Sequence, residues 1–259
     1  MKSPPHLLKS WREIERRIHR ARPLFLFTDF DGTLVPIART PEQVRLPHRV
    51  RRLLAMLRRK GAIVGVISGR SLADLRARVG LRDIWYVGSH GYSLSGPGSR
   101  TVRLLRPAQK ARMVEVQRKL GEKVRGLTGV WLERKEGAIA VHYRSASRRT
   151  AAAARALIRH SLAAYPSVRL LRGKKVWELL PERRVSKWTA IRLILAQERR
   201  AGLPLLFYLG DDSTDERVFE QMEGISVAVG KRRRTAARFY LRSPGEVLLF
   251  LERLCVIVQ

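Results

Sequence analysis

Short apolar runs alternate with longer stretches in which apolar residues recur every three or four positions. Runs at 24–29, 62–68 and 84–88 predict strands, and the amphipathic stretches 48–60 and 71–79 between them predict helices. The alternation returns later, with a helix over 186–200, a strand over 205–209, a helix over 214–222, a strand over 225–229 and a last helix from about 244. Strands alternating with helices imply a parallel sheet with right-handed crossovers. The N-terminal stretch "MKSPPHLLKSWREIERRIHRARP" reads as an amphipathic helix leading into the first strand. After Gly88, "SHGYSLSGPGSRTVRLL" predicts a hairpin turning at Gly96-Pro97-Gly98.

The middle of the chain has a different rhythm. Residues 107–127 read as a helix, and "GVWLERKEGAIAVHYR" as two strands around a turn at Glu136-Gly137. A helix over 148–164 follows, then "SVRLLRGKKVWELLP", a second hairpin turning at Gly173. Helix, hairpin, helix, hairpin is a separate α+β unit, placed at about 106–181 and inserted between core segments 1–105 and 182–259.

Composition narrows the class. Of 259 residues, 45% are hydrophobic, so a substantial core can form. No apolar run approaches the roughly 20 residues of a membrane span, and no membrane association is expected. The N-terminal stretch is too charged for a signal peptide. The single cysteine, Cys255, excludes an internal disulfide and fits a reducing compartment, so a cytoplasmic location is expected. Lys and Arg number 53 against 22 Asp and Glu, a net charge of +31. The arginines are spread over the polar faces of helices, as in "RVRRLLAMLRRK". They read as solvated surface, and no specific nucleic-acid partner is expected. Such a surface still attracts a small anionic substrate.

The chemistry gathers where strands end. In "LFLFTDFDGTLVP" an unbroken apolar run reaches Asp29 and Asp31, with Gly32 allowing a tight turn. "AIVGVISGR" ends in Ser68, and "LLFYLGDDSTDE" ends in Asp211 and Asp212. Lys187 opens the helix before that late strand. In an open parallel sheet, ligands bind outside the carboxyl ends of the strands. Acids converging there repel one another unless a cation sits among them, and all-oxygen ligation suits Mg²⁺ with a substrate phosphate. Asp29 can then act as nucleophile through an aspartyl-phosphate. Asp31 can protonate the leaving oxygen and later activate water. Ser68 and Lys187 can hold the phosphate oxygens during transfer. Arg70, just after Ser68-Gly69, is a candidate substrate contact.

These motifs, in order, resemble those of the haloacid dehalogenase-like phosphatases. "ISGR" at 67–70, "GSHG" at 88–91, "ERKEGAIAVHYR" at 133–144, "VWELLP" at 176–181 and "GDDSTDERVFE" at 210–220 resemble the trehalose-6-phosphate phosphatase family more specifically. The resemblance covers roughly residues 24 to 230. It implies an α/β fold, a Rossmann-like parallel-sheet core with an inserted α+β cap. It implies Mg²⁺ held by Asp29, the main-chain carbonyl of Asp31 and Asp211. It also implies that Glu133, Lys135 and Glu178 reach the sugar hydroxyls. Arg70, His90 and Gly91 are further candidate substrate contacts. The expected substrate is trehalose 6-phosphate, with a functional link to trehalose-6-phosphate synthase. After the motif lysine the family usually has glycine, and here Trp188 stands there.

Other readings stay open. Ser71 with Asp74 forms an N-cap pair, and Ser213 with Glu216 forms the pattern of a capping box. Asp212 and Asp215 are further candidate site residues, although Asp215 alternatively serves the helix dipole. Glu133 and Lys135 alternatively form a surface ion pair. His90 and His142 are either packed or functional. Rival functions are a phosphatase for another sugar phosphate, such as sucrose or glucosylglycerol phosphate, and a non-catalytic basic binding protein on the same scaffold.

Overall fold

A computed structural model describes residues 4–38, 43–135, 137–173, 175–181, 185–198, 201–230 and 234–258. In chain order the elements begin α1 (Trp11–His19), β1 (Leu24–Asp29), α2 (His48–Arg59), β2 (Ile63–Ile67), α3 (Leu72–Val79), β3 (Trp85–Gly88), β4 (Ser93–Ser95) and β5 (Val102–Arg103). Then come α4 (Pro107–Val124), β6 (Trp131–Lys135), β7 (Ala138–His142), α5 (Arg148–Ala163), β8 (Val168–Gly173) and β9 (Val176–Pro181). The chain finishes with α6 (Lys187–Gln197), β10 (Leu205–Gly210), α7 (Ser213–Gln221), β11 (Ile225–Val229), β12 (Phe239–Leu241) and α8 (Pro244–Ile257). Two compact units result, Met1–Val102 with Val185–Gln259, and Arg103–Arg184.

The first unit is built on a sheet of order β12-β11-β10-β1-β2-β3-β4-β5. From β1 the chain moves to β2 on one side and reaches β1's other edge only with β10, and both pairings are parallel. That reversal opens a crevice at the carboxyl ends of β1 and β10. Register decides what lines it. Asp29 pairs with Ile67, so Ser68 follows directly beyond. Thr28 pairs with Leu209, so Asp211 emerges just past the level of Asp29. Strands β1, β2, β10 and β11 are buried throughout, which is why they read as unbroken apolar runs rather than alternating ones. Leu26, Phe207, Leu209 and Val227 meet Leu54 and Leu57 of α2 and Phe250, Leu251 and Leu254 of α8 in one core.

The second unit has an antiparallel sheet of order β6-β7-β9-β8. Side chains alternate between its faces. Ile139, Val141, Trp177, Leu179 and Val168 pack against Met113, Val116 and Leu120 of α4 and Ala154 and Ile158 of α5. The opposite face carries Trp131, Glu133 and Lys135 of β6, Ala138, Ala140 and His142 of β7, and Glu178 of β9.

Three sequence expectations change. The Ser213–Glu216 capping box is displaced: Asp212 is the N-cap of α7 and Asp215 the reciprocal partner, with Asp212 accepting from the Thr214 N–H. Glu216 instead accepts from the Ala236 N–H at 2.8 Å and from the Thr235 hydroxyl at 3.2 Å. The sheet is not wholly parallel, since β3 and β4 run antiparallel. Strand β12 was not anticipated, because three residues are too few to carry a period. Glu136 of the first expected hairpin turn and residues 199–200 of the expected helix lie outside the described residues. Ser71 caps α3 as its sequence indicated, accepting from the Asp74 N–H at 3.2 Å. Among the described residues no helix is long and apolar enough to cross a membrane.

Leu26, fully buried in the central strand, carries the fold's simplest test. Leu26→Ala should lower unfolding free energy by about 2–5 kcal/mol, measured by denaturant titration. A loss below about 0.5 kcal/mol, the size of a surface substitution, would contradict its place in the core.

Candidate active site

The site begins where β1 ends. Asp29 is buried, and the next residue, Phe30, is fully buried and anchors the chain. Beyond it the backbone folds back, with the Gly32 N–H donating to the Val35 carbonyl at 2.7 Å. Gly32 has φ +87°, and a Cβ there would collide with the Asp211 carboxylate, so the turn needs glycine twice over. Ser68 is also buried, and its hydroxyl accepts the Arg70 N–H at 3.2 Å.

Lys187 is the first residue of α6, after the N-cap Ser186, and only 2% exposed. Its Nζ donates to Asp29 Oδ1 at 2.6 Å and to Asp215 Oδ1 at 2.8 Å. Asp215 is completely buried and does two jobs. Its Oδ2 accepts the Asp212 N–H at 2.9 Å, which caps α7. Its Oδ1 also accepts the Tyr208 hydroxyl at 2.6 Å. Burial alone would lower the Lys187 pKa, but Asp215 and Asp29 outweigh it and raise the pKa, so the ammonium stays charged. The Asp29 carboxyl is pushed well above the usual range by burial and by Asp215, Asp211 and Asp212, against the downward pull of Lys187. One lysine therefore under-compensates the negative charge gathered here.

That imbalance bears on a metal. Oxygen atoms of Asp29, Asp211 and Asp215 lie within 4.8 Å of one another. A hard divalent cation with oxygen ligands fits this donor set and would offset the excess charge. The side chains that gather include Asp215 rather than the carboxylate of Asp31. Asp31 is gripped instead by Arg70, whose Nε and Nη2 donate to its two oxygens at 2.6 and 2.7 Å. Arg70 also holds Asp74 at 2.9 Å, and Arg78 binds the same carboxylate at 2.8 Å. The two arginines hold Asp74 below the usual carboxylate range despite its partial burial. The expected substrate contact Arg70 is thus committed to Asp31 and Asp74 here.

His90 and Gly91 lie in a single 3-10 turn, Ser89–Gly91. The His90 N–H donates to the Ser68 carbonyl at 3.1 Å, and a Cβ on Gly69 would strike the His90 ring. Gly91 has φ +107°, and a Cβ there would strike the Ser186 carbonyl. Gly91 therefore lets the chain pass close to the residue that caps the lysine helix.

In the second unit, the three expected sugar-reading residues share the sheet face not packed against α4 and α5. The Glu133 carboxyl is held below its usual range by its hydrogen bond with His142 and by the nearby Lys135 charge, so the ion-pair alternative holds as a Coulombic contact while the hydrogen bonds go elsewhere. Lys135 Nζ donates to Glu178 Oε1 at 2.6 Å across the small Ala138 and Ala140 of β7. Glu133 Oε2 instead lies 2.8 Å from His142 Nε2. Sequence reasoning left Tyr208 unmentioned, and a strand buried on both faces offers no alternation to single it out. Its only signal was a hydroxyl within an otherwise aliphatic and aromatic run.

A switch-point crevice with one aspartate ending its first strand and another two residues beyond, a buried helix-opening lysine and a late acidic loop defines a class, the haloacid dehalogenase-like fold. The family model for trehalose-phosphatase matches residues 27–244. A trehalose-phosphate phosphatase of Mycobacterium avium is 37% identical over 245 residues, 88% of this chain and 61% of its own length. A probable trehalose-phosphate phosphatase of Oryza sativa is 31% identical over 260 residues, covering 96% of this chain and 70% of its own. The C-terminal domain of the C. albicans trehalose-6-phosphate phosphatase superimposes with a TM-score of 0.80 at 23% identity, covering 98% of both chains. The chain belongs to the trehalose-phosphatase family. It spans 61% of the length of the Mycobacterium avium and Mycolicibacterium paratuberculosis relatives.

Replacing Lys187 by Met keeps the length and leaves two buried carboxylates without their partner. Lys187→Met should lower stability by about 3–5 kcal/mol in metal-free buffer, read from denaturant unfolding. An unchanged midpoint would mean that Lys187 does not offset the charge of Asp29 and Asp215.

Proposed function

We propose that the chain hydrolyses trehalose 6-phosphate to trehalose and inorganic phosphate. The observation that carries this reading is Lys187 buried between Asp29 and Asp215 at the switch point, in a chain whose residues 27–244 match the trehalose-phosphatase model. The Asp29 carboxylate attacks phosphorus, forming an aspartyl-phosphate as the bond to the sugar oxygen breaks. Asp31 gives that oxygen its proton. Water then attacks phosphorus, Asp31 accepts its proton, and the bond to Asp29 breaks. Ser68 and Lys187 hold the phosphoryl oxygens, and Lys187 offsets the charge they carry. Asp29, Asp211 and the main-chain carbonyl of Asp31 would hold Mg²⁺, with Asp215 beside them, and Asp212 keeps that loop on α7. When bound, the cation supplies positive charge to the transferring group.

In the resting arrangement Arg70 orients Asp31, and on this reading it turns to the substrate together with His90 and Gly91. Glu133, Lys135 and Glu178 read the sugar hydroxyls. The +31 charge draws in an anionic substrate. We place the enzyme in the cytoplasm, downstream of trehalose-6-phosphate synthase.

Asp29→Asn should reduce turnover to background in a folded protein, measured as phosphate release. Near-normal turnover would end the aspartyl-phosphate mechanism. Asp31→Asn should cost about 10²-fold or more on trehalose 6-phosphate and markedly less on p-nitrophenyl phosphate, whose leaving group needs no proton. Equal losses on the two would remove Asp31 from the acid role. EDTA should abolish phosphate release and added Mg²⁺ should restore it, and activity persisting after chelation would exclude a cation requirement. Across a sugar-phosphate panel, trehalose 6-phosphate should show the highest kcat/KM. A preference for sucrose or glucosylglycerol phosphate would reassign the substrate.

A further inference from the structure

Beyond the three sugar-reading residues, the open sheet face of the second unit holds a second arrangement. Trp131 on β6 stands directly opposite His142 on β7. Their rings stack with centroids 3.9 Å apart and an interplanar angle of 11°. Directly opposite Glu133 is Ala140, whose small side chain leaves the diagonal open between Glu133 and His142. Across it, His142 Nε2 lies 2.8 Å from Glu133 Oε2. The Glu133 carboxyl sits below its usual range, held there first by this hydrogen bond and against partial burial. An ionised carboxylate only accepts, so the hydrogen belongs to Nε2 of the imidazole.

The consequence concerns orientation. Glu133 is half exposed, and a glutamate on a strand surface rotates about several bonds. Lys135 attracts it through space but points its ammonium at Glu178, to which it donates at 2.6 Å, so the directional contact to Glu133 is the one from His142. Among the described residues His142 is the hydrogen-bond partner of its carboxylate, and the ring is itself stacked on the Trp131 indole. Fixing Oε2 leaves Oε1 directed for other hydrogen bonds. The pattern is that of a residue whose second interaction sets the geometry of a ligand-contacting group.

We propose that His142 is a positioning residue for sugar recognition: stacked on Trp131, it donates Nε2–H to Glu133 and fixes the carboxylate that meets the substrate. This rests on the reading that Glu133 contacts the sugar. It assigns His142 and Trp131 a role in specificity for which neither touches the phosphate.

The test compares side chains that differ in where they carry a donor. A glutamine amide reaches the position of Nε2, whereas an asparagine amide is too short. His142→Leu and His142→Asn should raise KM for trehalose 6-phosphate about tenfold with kcat within about twofold, and His142→Gln should stay within about threefold of the parent. Hydrolysis of p-nitrophenyl phosphate should be unchanged in all three. In a Glu133→Ala background, His142→Leu should add no further loss. If the leucine variant does not fold, the contrast between asparagine and glutamine decides alone. Asparagine and glutamine behaving alike, a parallel loss on the aryl phosphate, or a full loss persisting in Glu133→Ala would each overturn the positioning role. Unchanged trehalose 6-phosphate kinetics in Glu133→Ala itself would instead remove the sugar-reading role of Glu133, and the proposal with it.

Discussion

A charged lysine with almost no access to water is the constraint around which the core unit is arranged. Desolvating an ammonium costs several kcal/mol unless good hydrogen bonds repay it. Lys187 is repaid by Asp29 at the end of β1 and Asp215 in the first turn of α7. Those contacts tie together segments 158 and 28 residues apart along the chain. Asp215 cannot move without uncapping α7, and its hydrogen bond from Tyr208 fastens it to β10. Gly91 and Gly32 then follow as requirements, because side chains at those positions would collide with Ser186 and Asp211. The result is an array fastened to three elements in which carboxylates outnumber the lysine, a donor set compatible with a divalent cation.

The second unit, taken by itself, is a different kind of surface from the acidic crevice of the first. One face of its sheet is spent on packing against α4 and α5. The other keeps alanines on its second strand, across which Lys135 meets Glu178 and His142 meets Glu133. Small residues in the middle of the sheet allow ionisable side chains to lie across it rather than stand apart. Each carboxylate is held by a partner while retaining capacity to accept further hydrogen bonds.

The strands and helices were legible because burial writes itself into periodicity. Residues 225–229 read as a strand and Ile225–Val229 forms one, while 48–60 read as a helix that runs His48–Arg59. Asp29, Ser68 and Asp211 stood out because polar residues at the ends of apolar runs are rare without a purpose, and Lys187 because it opens the helix before the late strand. What the residues hold was less legible. The sequence does not tell whether Arg70 faces a substrate or Asp31, since either satisfies a guanidinium. It showed Ser213 and Glu216 in capping spacing, yet Asp212 and Asp215 have the same spacing one residue earlier, and the burial of Asp215 beside Lys187 settles the choice. Tyr208 and the contact between His142 and Glu133 depend on neighbours distant in sequence or on a diagonal across strands, which periodicity does not encode.

The central claim is that Asp29, poised by Lys187, carries the phosphoryl group between sugar and water. Rapid acid quench with ³²P-labelled trehalose 6-phosphate tests it most directly, followed by borohydride reduction and peptide mass spectrometry. The account predicts an acid-stable, hydroxylamine-labile label, with the Asp29 carboxyl reduced to an alcohol in that peptide alone. Label on another residue, or steady turnover with no covalent label at any quench time, would contradict it.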